Sequence, residues 1–400
     1  MDFKQKLNMK RIVIIIVNLF IYSIQSIMGQ IEIYSDFPGG NLSIKKVKND
    51  TIWVQPDTRD SEGFWFYWYF AAKYSSGKSL TFIFPPNCFT HAGVSISLDG
   101  GKNWNWEYDN AFHQNKFTYT FKSNEEVRFC MSIPYIQKNW EEFVSKYKND
   151  PYFYQSYLAK TKKGRNVEML LIRNPKKTPK AKVLLTARHH ACEMMANYVM
   201  EGIIDYIMQS SWLKENIEFM CIPFMDKDGV EEGDQGKNRK PRDHNRDYNY
   251  ISIHETTSAI KELVPLWSEN KLKIMLDLHC PWIHSGQNDS IFIVGSNSKN
   301  LEKKQLYFSN LLKENNKSEL IYSPSSFCYY GSKPWTIPSY PIVGIKSTTW
   351  ASHLKGIDLS TSLEFPYAVS GNQIINKTNA RSFGKDLGAT IEQYLKDLNL

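Results

Sequence analysis

Short runs in which apolar and polar residues alternate fill the chain between residues 30 and 133, at 51–54, 63–70, 79–84, 94–98, 116–121 and 127–132. Clusters of Gly, Asn, Asp and Ser separate them, the pattern of strands joined by tight turns. Together they predict an antiparallel β-sandwich domain over residues 30–135. A helical stretch at 140–147 lies in a connector, 136–151. From about residue 152 the period changes. Apolar runs at 167–172, 182–187, 217–223, 272–278, 290–295 and 357–363 alternate with helical patterns at 193–208, 260–267, 301–315 and 380–398. This predicts an α/β domain over 152–400, built on a mixed, mostly parallel sheet with helices on both faces.

Residues 1–29 follow neither pattern. Lys4, Lys6, Lys10 and Arg11 precede an apolar run from Ile12 that Asn18, Ser23, Gln25 and Ser26 interrupt, and Gly29 offers a cleavage point. The expectation is a signal peptide and an exported protein, periplasmic or secreted, with no stable membrane insertion after its removal. A retained anchor is the alternative, disfavoured because the uninterrupted apolar stretch is short. Removing the segment takes away four basic residues and Asp2, so the net charge of +8 falls to about +5. So mild an excess of scattered cations does not imply nucleic acid, and no nucleic-acid partner is expected.

Composition changes the picture little: 42% apolar and 22% charged residues are ordinary, and 14% aromatics fit a strand-rich portion. The six cysteines form no CxxC pair, which argues against a cysteine-rich zinc site or a redox motif. Cys192, Cys221 and Cys280, in or beside predicted strands, are expected as free buried thiols. Residues 97–104 look like an Asp-box hairpin, in which Asp99 bonds turn amides. A structural role is therefore expected there rather than carbohydrate binding by Trp104 and Trp106.

Candidate chemistry gathers where predicted strands end. His190 and Glu193 stand three apart on the turn from a strand into a helix, a spacing that lets an imidazole nitrogen and a carboxylate converge on one ion. A long polar loop follows the strand at 217–223 and runs through Asp226, Asp243, Asn245, Arg246 and Asp247. His279 ends another strand, and Glu364 lies in the last one, where an unpartnered carboxylate would be costly. Two imidazoles and a carboxylate form the ligand set of an open catalytic zinc site. His189 is read as a packing or supporting residue, because the spacing to Glu193 selects His190.

With these features in this order, the chain resembles the zinc carboxypeptidases of the carboxypeptidase A type, nearest the cytosolic carboxypeptidase branch with its preceding β-sandwich. Residues 186–193 (TARHHACE) are similar to that branch's TARVHPGE, 226–229 (DKDG) to NPDG, 244–246 (HNR) to LNR, 277–279 (DLH) to DLH and 362–364 (SLE) to TME. The resemblance implies one Zn2+ per chain on His190, Glu193 and His279, and hydrolysis of the carboxyl-terminal bond of a peptide or protein through a metal-activated water. It implies that Glu364 moves the proton and that Asn245 and Arg246 hold the substrate's terminal carboxylate.

The chain departs from the family where Asp226 and Lys227 replace Asn-Pro, and where the oxyanion-stabilising Arg falls on Gly236. Arg239, Lys237 and Arg242 are the substitutes within reach, and Arg239 is the choice. The basic residue that gives the branch its acidic preference falls near Thr348, with Lys346 two positions away, so that preference is not supported. Two alternatives stay open: a zinc amidase acting on cell-wall peptides or acyl-amino acids, and a non-catalytic binding protein with a relic metal site.

Overall fold

The computed structural model describes residues 31–107, 115–283, 286–337 and 344–400. The expected signal peptide at 1–29 lies outside the described residues.

Nine strands come first: β1 (Glu32–Tyr34), β2 (Ser43–Lys48), β3 (Thr51–Gln55), β4 (Tyr69–Lys73), β5 (Ser79–Ile83), β6 (Val94–Ser97), β7 (Asn105–Glu107), β8 (Lys116–Thr120) and β9 (Val127–Cys130). They form a five-stranded sheet, β1-β4-β9-β6-β7, and a four-stranded one, β2-β3-β5-β8. The two sheets face each other through aromatic rings: Phe70 of β4 and Phe129 of β9 pack on Phe82 of β5 at 4.9 and 5.7 Å between centroids. Pairing is antiparallel except between β3 and β5, which run parallel. Residues 64–68, expected in a strand, stay outside the ladder although Phe66 and Trp68 are fully buried. Their backbone has another partner. The Gln235 side chain accepts from Tyr67 N at 2.8 Å and donates to Tyr67 O at 2.8 Å.

Helix α1 (Gln137–Val144) leads into β10 (Phe153–Lys160), β11 (Asn166–Ile172) and β12 (Ala181–Ala187). Helices α2 (Met195–Gln209) and α3 (Ser211–Asn216), strand β13 (Ile217–Ile222) and helices α4 (Lys227–Glu232) and α5 (Glu255–Ser268) follow. The chain closes with β14 (Leu272–His279), β15 (Phe292–Val294), α6 (Lys299–Asn315), α7 (Ser347–Ala351), β16 (Leu359–Glu364) and α8 (Lys377–Asp397). The seven strands lie in the order β10-β11-β13-β12-β14-β16-β15. The central four, β13, β12, β14 and β16, are parallel, and the outer strands are antiparallel.

Alternation along β12 sends its residues to opposite faces. Val183, Leu185 and Ala187 join a core cluster with α2, α6 and α8, whereas Leu184 joins a second cluster with Ile260 and Val264 of α5. Helices thus cover both faces, as a parallel sheet requires. The first cluster also runs without a break into the aromatic sandwich. At the join, Phe66 meets Trp282 and Tyr367 edge-on, with centroids 5.0 and 5.5 Å apart.

Candidate functional site

The sheet order reverses at β12, whose neighbours β13 and β14 both follow it in sequence. A crevice opens at the carboxyl ends of such strands, where open α/β sheets bind ligands. The chain leaves β12 through Arg188, which adopts a left-handed φ of 61°. Its buried guanidinium folds back to bond Ala191 O at 2.9 Å, Tyr135 O at 2.9 Å and Asn197 Oδ1 at 2.9 Å. This fixes the tight turn that carries His190 and Glu193.

Glu193 is fully buried between two imidazoles, with Oε1 3.0 Å from His190 Nδ1 and Oε2 2.8 Å from His279 Nδ1. The three residues offer ligand atoms within 4.8 Å of one another. Asp277, a carboxylate that only accepts, lies 2.8 Å from His279 Nε2, which therefore donates to it and turns Nδ1 toward Glu193. The Glu193 carboxylate and the two Nδ1 atoms converge, so a divalent cation bound there would replace the proton on His279 as the carboxylate's partner. The donor set fits zinc.

Burial and the neighbouring charges set the titration of these groups. Burial pushes His190 down to about 4, with help from the Lys237 charge, so it stays neutral. Burial also works against a charge on His279, yet Asp277 and Glu193 outweigh it and raise His279 well above the usual imidazole range. Burial alone would raise Glu193; Lys237, His190 and His279 instead hold it well below the usual carboxylate range.

A cavity of about 1010 Å³ opens over this cluster, lined among others by His190, His279, Lys237, Asn245, Arg246 and Glu364. Glu364 comes from β16, directly across the ladder from His279. It is buried, and its Oε2 has no hydrogen-bond partner among the described residues. Burial raises its carboxyl above the usual range, against the opposing charges of His279 and Lys237. Asn245 sits with Nδ2 3.2 Å from His279 Nε2 and accepts from Ser347 N at 3.0 Å. Arg246 forms no ion pair among the described residues, because Asp247 is taken by Arg242 at 2.8 Å.

Arg239 is not brought to the cluster. Its guanidinium is held by Asp226 and by Asp234 at 3.0 Å, with Asp60 of the sandwich at 3.6 Å. Lys237 arrives instead, its ammonium paired with Glu193. The reason lies one residue earlier. Gly236 has φ 75°, and a Cβ there would stand 2.2 Å from Ala191 N, so no side chain fits at the position aligned with the family's Arg. Asp60 clamps this loop by accepting from Gln235 N at 3.0 Å and Gly236 N at 2.8 Å.

Sequence reasoning passed over Asp277 as a functional residue, and also Trp65 and Trp282, which line the cavity mouth with rings 5.1 Å apart. For Asp277 the signal was its place two residues before His279 in one strand. At the Asp-box hairpin, Asp99 bonds the amides of Lys102 and Asn103, while the Trp104 and Trp106 indoles donate to Gly101 O and Ile375 O.

An α/β sheet with a His-Glu-His cluster at its reversal point, joined to a β-sandwich, is an arrangement with the fold of the metallocarboxypeptidases. Residues 148–274 match the family model described as zinc carboxypeptidase (Peptidase_M14). It is 28% identical over 250 residues to cytosolic carboxypeptidase 3 of Bos taurus, covering 56% of this chain and 24% of that protein. Over 326 residues it is 25% identical to cytosolic carboxypeptidase 6 of Caenorhabditis elegans, covering 71% and 70% of the two chains. The chain thus spans about a quarter of the length of the bovine relative. The fold is that of a metallo-carboxypeptidase from Burkholderia cenocepacia, with a TM-score of 0.74 at 18% identity over 92% of this chain and all of that one. A metallo-carboxypeptidase from Pseudomonas aeruginosa superposes similarly, with a TM-score of 0.72 at 18% identity.

These relatives correct one expectation. Export to the periplasm or medium does not stand: the curated relatives are cytosolic carboxypeptidases. All six cysteines are buried and free, as expected for Cys192, Cys221 and Cys280.

Proposed function

We propose that the protein is a zinc-dependent metallocarboxypeptidase that hydrolyses the carboxyl-terminal bond of peptides or proteins, with a β-sandwich over 30–135 and a catalytic unit over 152–400. The observation that carries this reading is the convergence of His190, Glu193 and His279 within 4.8 Å, beneath a cavity that Glu364 also lines. His190, Glu193 and His279 would hold one zinc ion. Bound there, zinc supplies a Lewis acid that polarises the scissile carbonyl and activates water near neutral pH.

The chain's own residues do the rest. Glu364, with a free oxygen and a raised affinity for protons, takes the proton of the attacking water and returns it to the leaving amine. The Lys237 ammonium offers positive charge where the carbonyl oxygen becomes negative. Arg246, free of carboxylate partners among the described residues, grips the terminal carboxylate in a planar fork, which restricts cleavage to chain ends. Asn245 closes the same wall of the cavity.

The deciding experiment incubates the purified protein, with and without a chelator, with peptides bearing free or amidated carboxyl termini. Release of single residues from free ends only, abolished by the chelator, is the expected result. Turnover of cell-wall peptides or acyl-amino acids with no release from free peptides would favour the amidase, and metal binding without any turnover the relic site.

Lys346, discounted in the sequence for lying two positions from the family's basic residue, lines the cavity all the same and adds a pH dependence. Burial followed by the Arg246 charge brings it down to about 8. Below that pH it is cationic and attracts an acidic side chain on the terminal residue; above it the attraction is lost. The ratio of kcat/KM for Glu-ended over Leu-ended peptides should therefore fall as pH rises from about 7 to about 9. Lys346→Gln should flatten that ratio, and a ratio unchanged between the two proteins would remove Lys346 from the specificity wall.

A further inference from the structure

We propose that His189 and Tyr248 are positioning residues of the metal centre, holding Asp277, and through it His279, in the orientation that presents His279 Nδ1 to the ion. The proposal rests on the metal reading given above. Four links run through the protein interior. Tyr248 OH lies 2.7 Å from His189 Nε2, and His189 Nδ1 lies 2.8 Å from Asp277 Oδ1. Asp277 Oδ2 lies 2.8 Å from His279 Nε2, and His279 Nδ1 lies 2.8 Å from Glu193 Oε2. All these side chains are buried, and the His189 and His279 rings are nearly parallel, 21° apart in plane.

The protons can be assigned along the whole relay. Asp277 also accepts from Thr186 Oγ1 at 2.7 Å and from Ser347 Oγ at 2.6 Å, so the carboxylate is an acceptor to four groups. His189 Nδ1 must then be a donor, which leaves Nε2 to accept from the Tyr248 hydroxyl. Each contact in this half of the relay pairs a donor with an acceptor, although His189, Asp277 and His279 are also close enough to hold a metal by distance alone. A relay satisfied by protons has no need of an ion. Its effect is to fix where the Asp277 carboxylate lies, and hence the His279 tautomer and ring plane. Groups behind a metal ligand tune affinity in this way, and losing one costs about 10- to 100-fold in metal binding.

Four variants test it: His189→Val, His189→Gln, Tyr248→Phe, and Leu184→Val as a core control on the neighbouring strand position. Zinc dissociation constants are measured by chelator competition, thermal midpoints by calorimetry, and ligand geometry by the visible spectrum of the cobalt-loaded protein. His189→Val should weaken zinc binding about 10- to 100-fold and shift the cobalt bands. His189→Gln, which can still donate to Asp277, should recover part of the affinity. Tyr248→Phe should weaken binding by a smaller factor, about threefold. Leu184→Val should lower the thermal midpoint alone. Zinc affinity within about twofold of the parent in both His189→Val and Tyr248→Phe would overturn the proposal. If His189→Val fails to fold, Tyr248→Phe decides on its own. A parent protein that takes up no zinc would instead bring down the metal reading.

Discussion

Glu364→Gln should leave zinc bound and the fold intact while lowering kcat for a peptide with a free carboxyl terminus by about 1000-fold. The glutamine fits the same volume at the end of β16, opposite His279, and keeps one oxygen to face the cavity. What it loses is the ability to take up and return a proton. Burial that raises the Glu364 carboxyl above its usual range makes it a better base than an exposed glutamate and a competent acid for the leaving amine. KM should move little, because on the proposed reading Arg246 and Lys346, not Glu364, meet the terminal residue. The acid limb of the pH–rate profile should vanish with the carboxylate. Retention of full activity with one zinc per chain would exclude Glu364 from proton transfer and require another group in that role.

Lys237→Met should cost about 100- to 1000-fold in kcat, with Lys237→Arg restoring part of it. Methionine fills the space of the lysine stem but brings no charge to the carbonyl oxygen. The substitution has a second effect of opposite sign. The lysine ammonium is paired with Glu193, so removing it frees that carboxylate, and zinc affinity should rise or stay level. A fall in kcat with metal affinity maintained is the signature of a lost oxyanion contact. A fall in both would mean that Lys237 instead shapes the metal site. Arg239→Met should look different. Three aspartates surround that guanidinium, so its loss should lower the thermal midpoint and activity together.

Much of the fold was legible because the sheet positions alternate or run apolar without interruption. Residues 182–187 read as a buried parallel strand, and β12 is buried throughout. By contrast β10, an edge strand with several exposed positions, carries too weak a pattern to be read, and residues 64–68 look like a strand whose ladder the Gln235 side chain replaces. In the candidate site, His190, Glu193 and His279 were visible because each follows a strand and their chemistry is shared. The choice between Lys237 and Arg239 was not. It depends on Gly236 pressing against Ala191 and on three aspartates, one from the sandwich, surrounding Arg239. No local pattern encodes contacts between residues so far apart in the chain.

The loop that delivers Lys237 is tied on its other side to the sandwich, through Asp60, through Tyr67, and through Asn41 donating to Gly233 O at 2.7 Å. The seam between the two sheet systems therefore runs through the candidate site rather than beside it. A carboxyl-terminal half cut out for engineering would keep His190, Glu193 and His279 but lose the contacts that hold the Lys237 loop. An insertion near residue 60 would reach the chemistry as directly as a change beside the ion.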